Sequence, residues 1–246
     1  MQWSLQRQLL YAFAAILIVA VLGTLGWYAF FYTPPSCTDG LRNHGEEGID
    51  CGGSCSFLCA APNTSSVWAR SVRIAPGVYH AVAMVRNSSS SAGTTELPYT
   101  FSLFDAENIL IAERRGTMAL SPGEVVPLLE PNVITGERIP ARTFVTFGEA
   151  RWQKMSRSEN PIHIASQDLD QNALRLSASI ENNSVETAAR ITVTALLYNA
   201  DDVLVTASQT VIDALPPRGA RAVVFTWQEP FSEPIVRADI VPRLAP

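Results

Sequence analysis

The stretch Leu174-Arg175-Leu176-Ser177-Ala178-Ser179-Ile180-Glu181 alternates apolar and polar side chains at every position. A period of two is typical of a β-strand that buries one face and exposes the other to water. Weaker alternation of the same kind continues through most of the chain after residue 66, in short runs separated by turn residues. Many short strands at such a spacing are typical of a β-sandwich, so the sequence predicts an all-β fold for this part of the chain.

Apolar runs and turn residues predict where these strands lie. We expect the first strand to begin near Val67, after a linker of small and polar residues that ends at residue 66. Further strands are predicted at 79–85, 99–103, 109–112, 125–129 and 143–147 in the first half, and at 174–181, 189–197, 203–206 and 223–227 in the second. Turns are predicted at 87, 105–108, 122–123 and 135–136. In the second half, parity places Ala189, Ile191 and Val193 on the core side.

The second half repeats the first at an offset of about 95 residues, a period too long for a solenoid. Val85-Arg86-Asn87 aligns with Ile180-Glu181-Asn182, and Leu120-Ser121-Pro122 aligns with Leu215-Pro216-Pro217. We therefore predict a domain duplication, with one sandwich at residues 63–157 and the other at 158–246.

The run Phe101-Ser102-Leu103-Phe104-Asp105 is followed by a turn, an apolar strand and Ser121-Pro122-Gly123-Glu124. This pattern resembles the FxLYD type of immunoglobulin-like domain found in bacterial and archaeal envelope proteins. In the second copy, Ala195 and Asn199 stand where the motif has phenylalanine and aspartate. The resemblance implies two tandem immunoglobulin-like β-sandwiches of about seven strands each in an extracytoplasmic setting. It implies no activity.

An uncharged segment near the N-terminus predicts a transmembrane helix. No charged residue occurs from Leu9 to Tyr32, whereas about 20 apolar residues suffice to cross a bilayer as helix. Trp27, Tyr28 and Tyr32 cluster at one end of this segment, as aromatic residues do at headgroup depth. A signal peptide is the alternative, but its apolar region is usually about 7–15 residues and ends at a small-residue cleavage site. We predict a span at 9–32 within the lipid bilayer, after a cytoplasmic tip at 1–8.

The position of the cysteines predicts the orientation of the chain. All four lie after the helix, within residues 37–59. Disulfide bonds persist on the oxidising side of a membrane. We therefore expect a single-pass protein of a bacterial plasma membrane, with the N-terminus in the cytoplasm and the C-terminal domains outside it.

The cysteine-rich module, assigned with its linker to residues 33–62, is too short to bury a core of its own. Covalent bonds or a metal must therefore order it. The spacings lack the paired C-x-x-C knuckles of a zinc site, which favours two disulfides among the four cysteines, in any of three pairings. These are Cys37, Cys51, Cys55 and Cys59.

This module resembles a cysteine motif, C-x-D-G-x-x-N-x-x-E-x-x-(V/I)-D-C-G-G-x-C-x-x-(x)-C, that recurs in bacterial surface proteins. Between its cysteines, Asp39, Asn43, Glu46 and Asp50 offer oxygen ligands of the kind that calcium prefers, although their spacing does not match an EF-hand loop. The alternative interpretation is that they are solvated acids and an Asx turn. Calcium is the only cofactor that the sequence suggests.

No residues are predicted as catalytic or cofactor-binding. His44, His80 and His163 are far apart in the sequence, and no G-x-S-x-G, H-E-x-x-H or phosphate loop occurs. His80 alternates with core residues, so we expect it on the outer face of a strand. The net charge is −5 and the basic residues are scattered, which argues against nucleic-acid binding.

The aromatic residues and the glycines of the helix suggest no site of their own. Trp68, Trp152 and Trp227 are interpreted as core or domain-junction residues, with a sugar-binding platform as the alternative. Gly23 and Gly26 are three residues apart and not four, so the sequence does not predict dimerisation through the helix.

The sequence predicts a non-enzymatic surface interaction, adhesion or scaffold module whose partner is an envelope protein or a glycan. One alternative is an accessory subunit of an envelope secretion or pilus-like assembly. Another is an enzyme with a site at the domain junction that uses Asp168, Asp170 and Glu149.

Overall fold

The computed structural model describes residues 2–31, 36–43, 45–157 and 159–244. The chain divides into two compact units, Met1–Cys55 and Ser56–Pro246. The boundary between them lies inside the range that the sequence assigned to the cysteine-rich module and linker. Tyr32, the residues 33–35 and His44 lie outside the described residues.

The first unit begins with helix α1, Gln2–Phe31. Its segment Gln6–Phe31, 26 residues long, is long and apolar enough to cross a membrane. Within the helix, the Thr24 hydroxyl donates to the carbonyl oxygens of Ala20 at 3.0 Å and Val21 at 2.9 Å, so the helix backbone satisfies this polar group. By length and composition α1 fits a membrane span, and a signal sequence near an N-terminus shares these properties.

The second unit begins with a sandwich of antiparallel strands. Among the described residues 56–157 its strands are β1 Thr64–Ala75, β2 Val78–Asn87, β3 Ala92–Phe104, β4 Leu110–Leu120, β5 Val125–Ile134, β6 Arg142–Phe147 and β7 Gln153–Lys154. One sheet has the order β1-β2-β5 and the other β4-β3-β6, with β7 paired to the start of β3. The two sheets enclose a core that includes Phe101, Leu103 and Trp152.

A second sandwich follows with the same strand order. Its strands, among the described residues 159–244, are β8 Ile162–Asp170, β9 Arg175–Asn182, β10 Ala188–Tyr198, β11 Leu204–Leu215, β12 Ala220–Thr226 and β13 Arg237–Leu244. The sheets are β12-β9-β8 and β11-β10-β13. Strands β8 to β13 thus hold the places that β1 to β6 hold in the first sandwich, as a duplication requires. The predicted all-β fold of two tandem immunoglobulin-like sandwiches, after an apolar helix and a disulfide-rich module, is confirmed.

Asn87 and Asn182 show the duplication in atomic detail. They are 2% and 0% exposed, and each side-chain oxygen accepts a hydrogen bond at 3.0 Å from the backbone two residues later. The Asn87 amide donates to the carbonyls of Ala92 at 2.7 Å and Ser121 at 2.8 Å. The Asn182 amide donates to three carbonyls, one of which belongs to Pro216, the counterpart of Ser121. Each asparagine therefore ties the strand it ends to a turn far along the chain.

Asp105 and Asn199 build the same turn in the two copies. Oδ1 of Asp105 accepts hydrogen bonds from the backbone two and four residues later, at 3.1 and 2.8 Å, and Oδ1 of Asn199 does so at 3.0 and 2.9 Å. Asn108 and Asp202, which close these turns, have φ values of 62° and 55°, a conformation that Asn and Asp tolerate. The second copy keeps the turn without the aspartate because the turn needs only an acceptor oxygen.

The two sandwiches pack against each other through a third apolar cluster, here called the interdomain cluster. Its buried members come from the outer faces of β1-β2-β5 and of β10-β11: Val72, Val82, Leu129, Leu196, Tyr198, Leu204 and Ala207. Trp68 and Met84 pack against it while partly exposed. Strands β2 and β10 are consequently buried on both faces.

An ion pair also joins the two sandwiches. The Arg243 guanidinium donates to both carboxylate oxygens of Glu124 at 2.8 Å, and to the carbonyl of Ala119 at 2.7 Å. The Arg243 and Glu124 side chains are 18% and 20% exposed. A bidentate pair of this kind fixes relative orientation as well as contributing stability.

The strands differ from the prediction at several places. Strands β7, β8 and β13 were not predicted, β3 begins at Ala92, and β4 and β11 extend to Leu120 and Leu215. Strand β1 begins at Thr64, so the last residues of the predicted linker belong to the sheet.

Ala189 is exposed and Ala188 is 7% exposed, which reverses the predicted parity at the start of β10. Arg190, between these residues and Ile191, has a φ of 52°, so the backbone bends here and both Ala189 and Arg190 are exposed, while the pairing register with β11 is the same on both sides.

Candidate functional site

Disulfide bonds order the cysteine-rich module. Cys37 and Cys55 are bonded, with Cα atoms 5.6 Å apart, which is within the usual range. Cys51 and Cys59 are disulfide-bonded as well, so no cysteine is free. The prediction of two disulfides is confirmed, and one of the three pairings is selected. No thiolate remains for a zinc site while these bonds are intact.

The glycine pair after Cys51 is required by a close approach of the backbone. Gly52 and Gly53 have φ values of 73° and 53°. A Cβ atom on Gly53 would lie 1.8 Å from the carbonyl oxygen of Gly45, where no side chain fits. The backbone at position 53 can therefore approach Gly45 this closely only because residue 53 is glycine.

Glu46 is buried beside the disulfide, at 6% exposure. Its Oε1 lies 3.1 Å from Sγ of Cys55, a close contact and not a hydrogen bond because a disulfide sulfur carries no proton. Its Oε2 accepts a hydrogen bond from the Asp50 backbone at 3.2 Å. Cys37, Glu46 and Cys55 offer ligand atoms within 4.8 Å of one another, but the two sulfurs could bind a cation only after reduction.

Asp39 and Asp50 hold the loop through backbone amides. The Asp39 carboxylate accepts hydrogen bonds from the Leu41 backbone at 2.9 Å and from the Asn43 amide at 2.8 Å. The Asp50 carboxylate accepts from the backbones of Asp39 and Gly40, each at 3.0 Å. The Asn43 amide and then the Leu41 N–H stabilise the charged form, which lowers the pKa of Asp39 below its usual range.

The structure brings Asp39, Asn43, Glu46 and Asp50 into one hydrogen-bonded cluster. All three carboxylates accept hydrogen bonds from backbone N–H groups. Asp39 accepts from the residue two positions later, which is the Asx-turn role, whereas Asp50 and Glu46 accept from residues at other separations. The side-chain oxygen of Asn43 is buried and has no hydrogen-bond partner among the described residues. Calcium binding stays a prediction. If calcium binds, adding it should raise the melting temperature and a chelator should lower it, whereas unchanged melting would discard the ion.

A cleft of about 610 Å³ lies where the two sandwiches meet. Its lining mixes charged, polar and aromatic side chains, among them Arg73, His80, Asn132, Trp227, Glu229 and Phe231. Arg73 of the first sandwich and Glu229 of the second lie 4.0 Å apart and are both about half exposed. Such a pair contributes little to stability, so both groups remain open to a ligand.

His80 and Trp227 are the partly buried polar aromatic residues of this cleft. Nδ1 of His80 accepts a hydrogen bond from the Asn132 backbone at 3.2 Å, which places the proton of the neutral ring on Nε2. Burial lowers the pKa of His80, so the ring is neutral at pH 7. Nε1 of Trp227 is buried and donates to none of the described residues, while its ring packs edge-to-face on Phe231 at 5.4 Å. Two aromatic rings and a neutral imidazole therefore line the cleft, while the indole N–H is buried without a partner among the described residues.

The three tryptophans of the sandwiches lie in three different clusters. Trp152 is 3% exposed in the first core, Trp227 packs against the second core, and Trp68 packs against the interdomain cluster. Core and junction packing are therefore what the structure shows. It does not assemble the three rings into one platform.

Asp168, Asp170 and Glu149 are exposed, and none of them lines the cleft. Oδ1 of Asp170 accepts hydrogen bonds from the backbones of Asn172 at 3.0 Å and Ala173 at 2.9 Å, so this carboxylate caps the turn after β8. His163 is exposed on β8 as well. The structure does not bring these carboxylates together.

Apart from Trp68, which was interpreted as a core or junction residue, the sequence interpretation missed the residues that join the sandwiches. A signal was present, because Ala195-Leu196-Leu197-Tyr198 is a continuous apolar run, which is typical of a strand buried on both faces. The Glu124 and Arg243 pair gave no comparable signal, since its members are 119 residues apart.

No family model matches the chain, and no curated protein sequence matches it. Among solved structures, the chain is similar to the crystal structure of CBD12 from CALX1.2, at 11% sequence identity and a TM-score of 0.22. The match covers 69% of this chain and 76% of that chain. At this level of similarity the match carries no argument about the site.

Proposed function

We propose that the chain is a single-pass protein of a bacterial plasma membrane, with its N-terminus in the cytoplasm and both sandwiches outside. The apolar segment Gln6–Phe31 supports the span by its length and composition. Four disulfide-bonded cysteines support an oxidising compartment for the module that follows. The likeness to FxLYD domains and to the surface-protein cysteine motif supports an envelope setting.

In that setting, the sandwiches act as a non-enzymatic interaction, adhesion or scaffold module for another envelope component. The observation that carries this proposal is the junction of the two sandwiches, which consists of the interdomain cluster and the bidentate Arg243–Glu124 pair. Two domains fixed in this way present their remaining sheet faces and loops in a constant arrangement, which lowers the entropic cost of binding a partner.

The placement is tested by adding protease to intact spheroplasts that contain the full chain. We expect digestion of the sandwiches without lysis, because they lie outside the membrane. Full protection that disappears when detergent is added would contradict the orientation.

The interaction is tested by purifying the tagged full chain from its own membranes in mild detergent and measuring the protein mass by light scattering. We expect a mass above the 26.7 kDa of one chain, with a second protein present in stoichiometric amount. A mass of one chain, with no second protein and no bound glycan, would contradict an interaction module.

A further inference from the structure

The two halves of the Cys37–Cys55 disulfide differ in their access to solvent. Cys55 is 1% exposed, and its backbone N–H donates to the carbonyl of Gly52 at 2.9 Å, so this residue is held inside the loop. Cys37 is partly exposed. A thiolate opens a disulfide by attacking one sulfur and releasing the other, and access decides which sulfur is attacked. A thiol from solvent therefore reaches this disulfide from the side of Cys37.

The buried sulfur of Cys55 has a carboxylate beside it. Oε1 of Glu46 lies 3.1 Å from Sγ of Cys55. Oε2 of the same carboxylate accepts hydrogen bonds from the backbone N–H groups of Asp50 at 3.2 Å and of Asn43 at 3.4 Å, and these bonds hold the group in place. Glu46 is 6% exposed, so little water lies between its charge and the sulfur. The loop thus fixes a buried carboxylate against one sulfur of the pair.

Thiol exchange at Cys37 creates a second negative charge beside this carboxylate. The attacking thiolate forms a new S–S bond to Sγ of Cys37, the Cys37–Cys55 bond breaks, and its electron pair leaves with Sγ of Cys55. The Cys55 thiolate then lies next to Oε1 of Glu46, where like charges repel strongly because water is excluded. A sulfur that is harder to charge leaves more slowly. The same carboxylate also repels a thiolate that approaches Cys55 directly.

We propose that Cys37 is the site at which the module exchanges with thiols, and that the Glu46 carboxylate makes this exchange slow. The reagent class is a thiol, which reacts as its thiolate. Glu46 thereby preserves the bond that orders the module, although one of the two cysteines is partly open to solvent. This property belongs to the cysteine-rich module, and it does not depend on what the sandwiches bind.

The site of attack is tested on the full chain in mild detergent, with mercaptoethanol as the thiol and an excess of N-ethylmaleimide added after a brief exposure. The maleimide traps the sulfur that is released, and peptide mass mapping identifies which cysteine carries which group. We expect mercaptoethanol on Cys37 and maleimide on Cys55, with at least about tenfold more of this product than of the reverse one. Equal amounts of the two products, or an excess of the reverse one, would overturn the assignment of Cys37.

The role of Glu46 is tested by Glu46→Gln, which removes the charge and keeps an oxygen that can accept from the Asp50 backbone. Dithiothreitol attacks Cys37 with one thiolate and releases it with the other, so the reagent is oxidised to its cyclic disulfide as the two cysteines are reduced. We expect the Cys37–Cys55 disulfide to open about fivefold faster or more in this variant, because the leaving sulfur no longer faces a negative charge. In the control, Glu47→Gln removes the charge of an exposed neighbour and should change the rate by less than about twofold.

The other disulfide separates an effect of charge from a loosened loop. We expect the initial rate at which the Cys51–Cys59 disulfide opens, and the melting temperature, to be the same in the parent and in Glu46→Gln. Equal acceleration of both disulfides would overturn the role of Glu46, because a loosened loop exposes both. An unchanged rate at Cys37–Cys55 would overturn it as well, and so would a variant that fails to form both disulfides, since the carboxylate would then be required for folding.

Discussion

At the scale of single residues, the duplication preserves roles more strictly than identities. Asp105 and Asn199 differ in charge but share the same pair of backbone hydrogen bonds. Asn87 and Asn182 share both identity and role. The sequence predicted a turn at residue 87, because asparagine favours turns, but not the interior role of its amide. Ser121, one of the acceptors, lies 34 residues away, so no local pattern could reveal it.

Replacing Asn182 by aspartate tests that interior role with little change of shape. The carboxylate still accepts from the Ser184 backbone but cannot donate to the carbonyls of Glu186, Leu215 and Pro216. Buried acceptors left without a donor cost about 1–3 kcal/mol each, so we expect Asn182→Asp to lower the free energy of unfolding by about 3 kcal/mol or more. Chemical denaturation of the full chain in mild detergent measures this loss.

The neighbouring residue supplies a matched control. Asn183 is exposed, and Asn183→Asp introduces the same charge one position further on. We expect its free energy of unfolding to stay within about 0.5 kcal/mol of the parent value. Equal losses for the two variants would show that the added charge matters and the amide bonds do not.

The charge of Asp105 predicts a dependence on pH. Hydrogen bonding by the Ile109 backbone, and pairing with Arg138 at 2.7 Å, outweigh burial and lower the pKa of Asp105. A depressed carboxylate pKa stabilises the fold above the unfolded value of about 3.9, and this contribution is lost as the pH falls through the folded value. Asp105→Asn should keep the turn, as Asn199 does, and lose less stability than the parent between pH 5 and pH 2. Melting temperatures of the parent and the variant across that pH range measure the difference. An equal fall in both melting temperatures would show that the Asp105 carboxylate does not cause the pH dependence.

At the scale of strands, alternation predicted which residues of β2 face the core of their own sandwich. Tyr79, Ala81, Ala83 and Val85 are all buried, as their shared parity required. Val82, of opposite parity, is equally buried because it faces the second sandwich. Periodicity within one strand reports how many faces are apolar, but it cannot report which other element covers them.

Gly116 of β4 has a packing role that the sequence did not indicate. It pairs opposite Tyr99, whose buried hydroxyl donates to the Glu130 carboxylate of the facing sheet. Burial and the carboxylate together raise the pKa of Tyr99 well above its usual range. A Cβ atom at position 116 would lie 2.3 Å from the Tyr99 oxygen. The glycine therefore makes room for a link between the two sheets.

We expect Gly116→Ala to destabilise the first sandwich by about 1–3 kcal/mol, the usual cost of overpacking, because the tyrosine must move from its carboxylate partner. Denaturant unfolding of the full chain, followed by the β signal in circular dichroism, measures the loss. Gly26 of α1 has open space around its Cβ position, so Gly26→Ala should leave this transition unchanged. A Gly116→Ala protein as stable as the parent would mean that Tyr99 is not held at this position.

At the scale of the whole molecule, the sequence predicted the order of the parts but not how the sandwiches join. The order could be inferred because the helix, the cysteines and the duplicated strands each leave a local pattern. The junction depends on pairs such as Val82 with Leu196, which lie on separate strands of separate domains. Only the continuous apolar run at Ala195–Tyr198 hinted at a second buried face.

Arg243 is the residue through which this junction can be weakened without touching either core. Arg243→Ala removes two hydrogen bonds from Glu124 and the donor to the Ala119 carbonyl. Among the described residues, the Glu124 side chain then keeps the hydrogen bond from the Ser121 N–H at 2.8 Å. Because the pair is mostly buried, we expect a loss of about 1–3 kcal/mol in the free energy of unfolding. Arg115→Ala breaks a 2.7 Å ion pair with Glu113 that rests on one contact, and that arginine is 77% exposed, so the loss should be no more than about 0.5 kcal/mol. Urea unfolding of both variants decides the matter. If the two variants lose the same free energy of unfolding, the Arg243–Glu124 pair does not stabilise the junction, and the interdomain cluster alone holds the two sandwiches together.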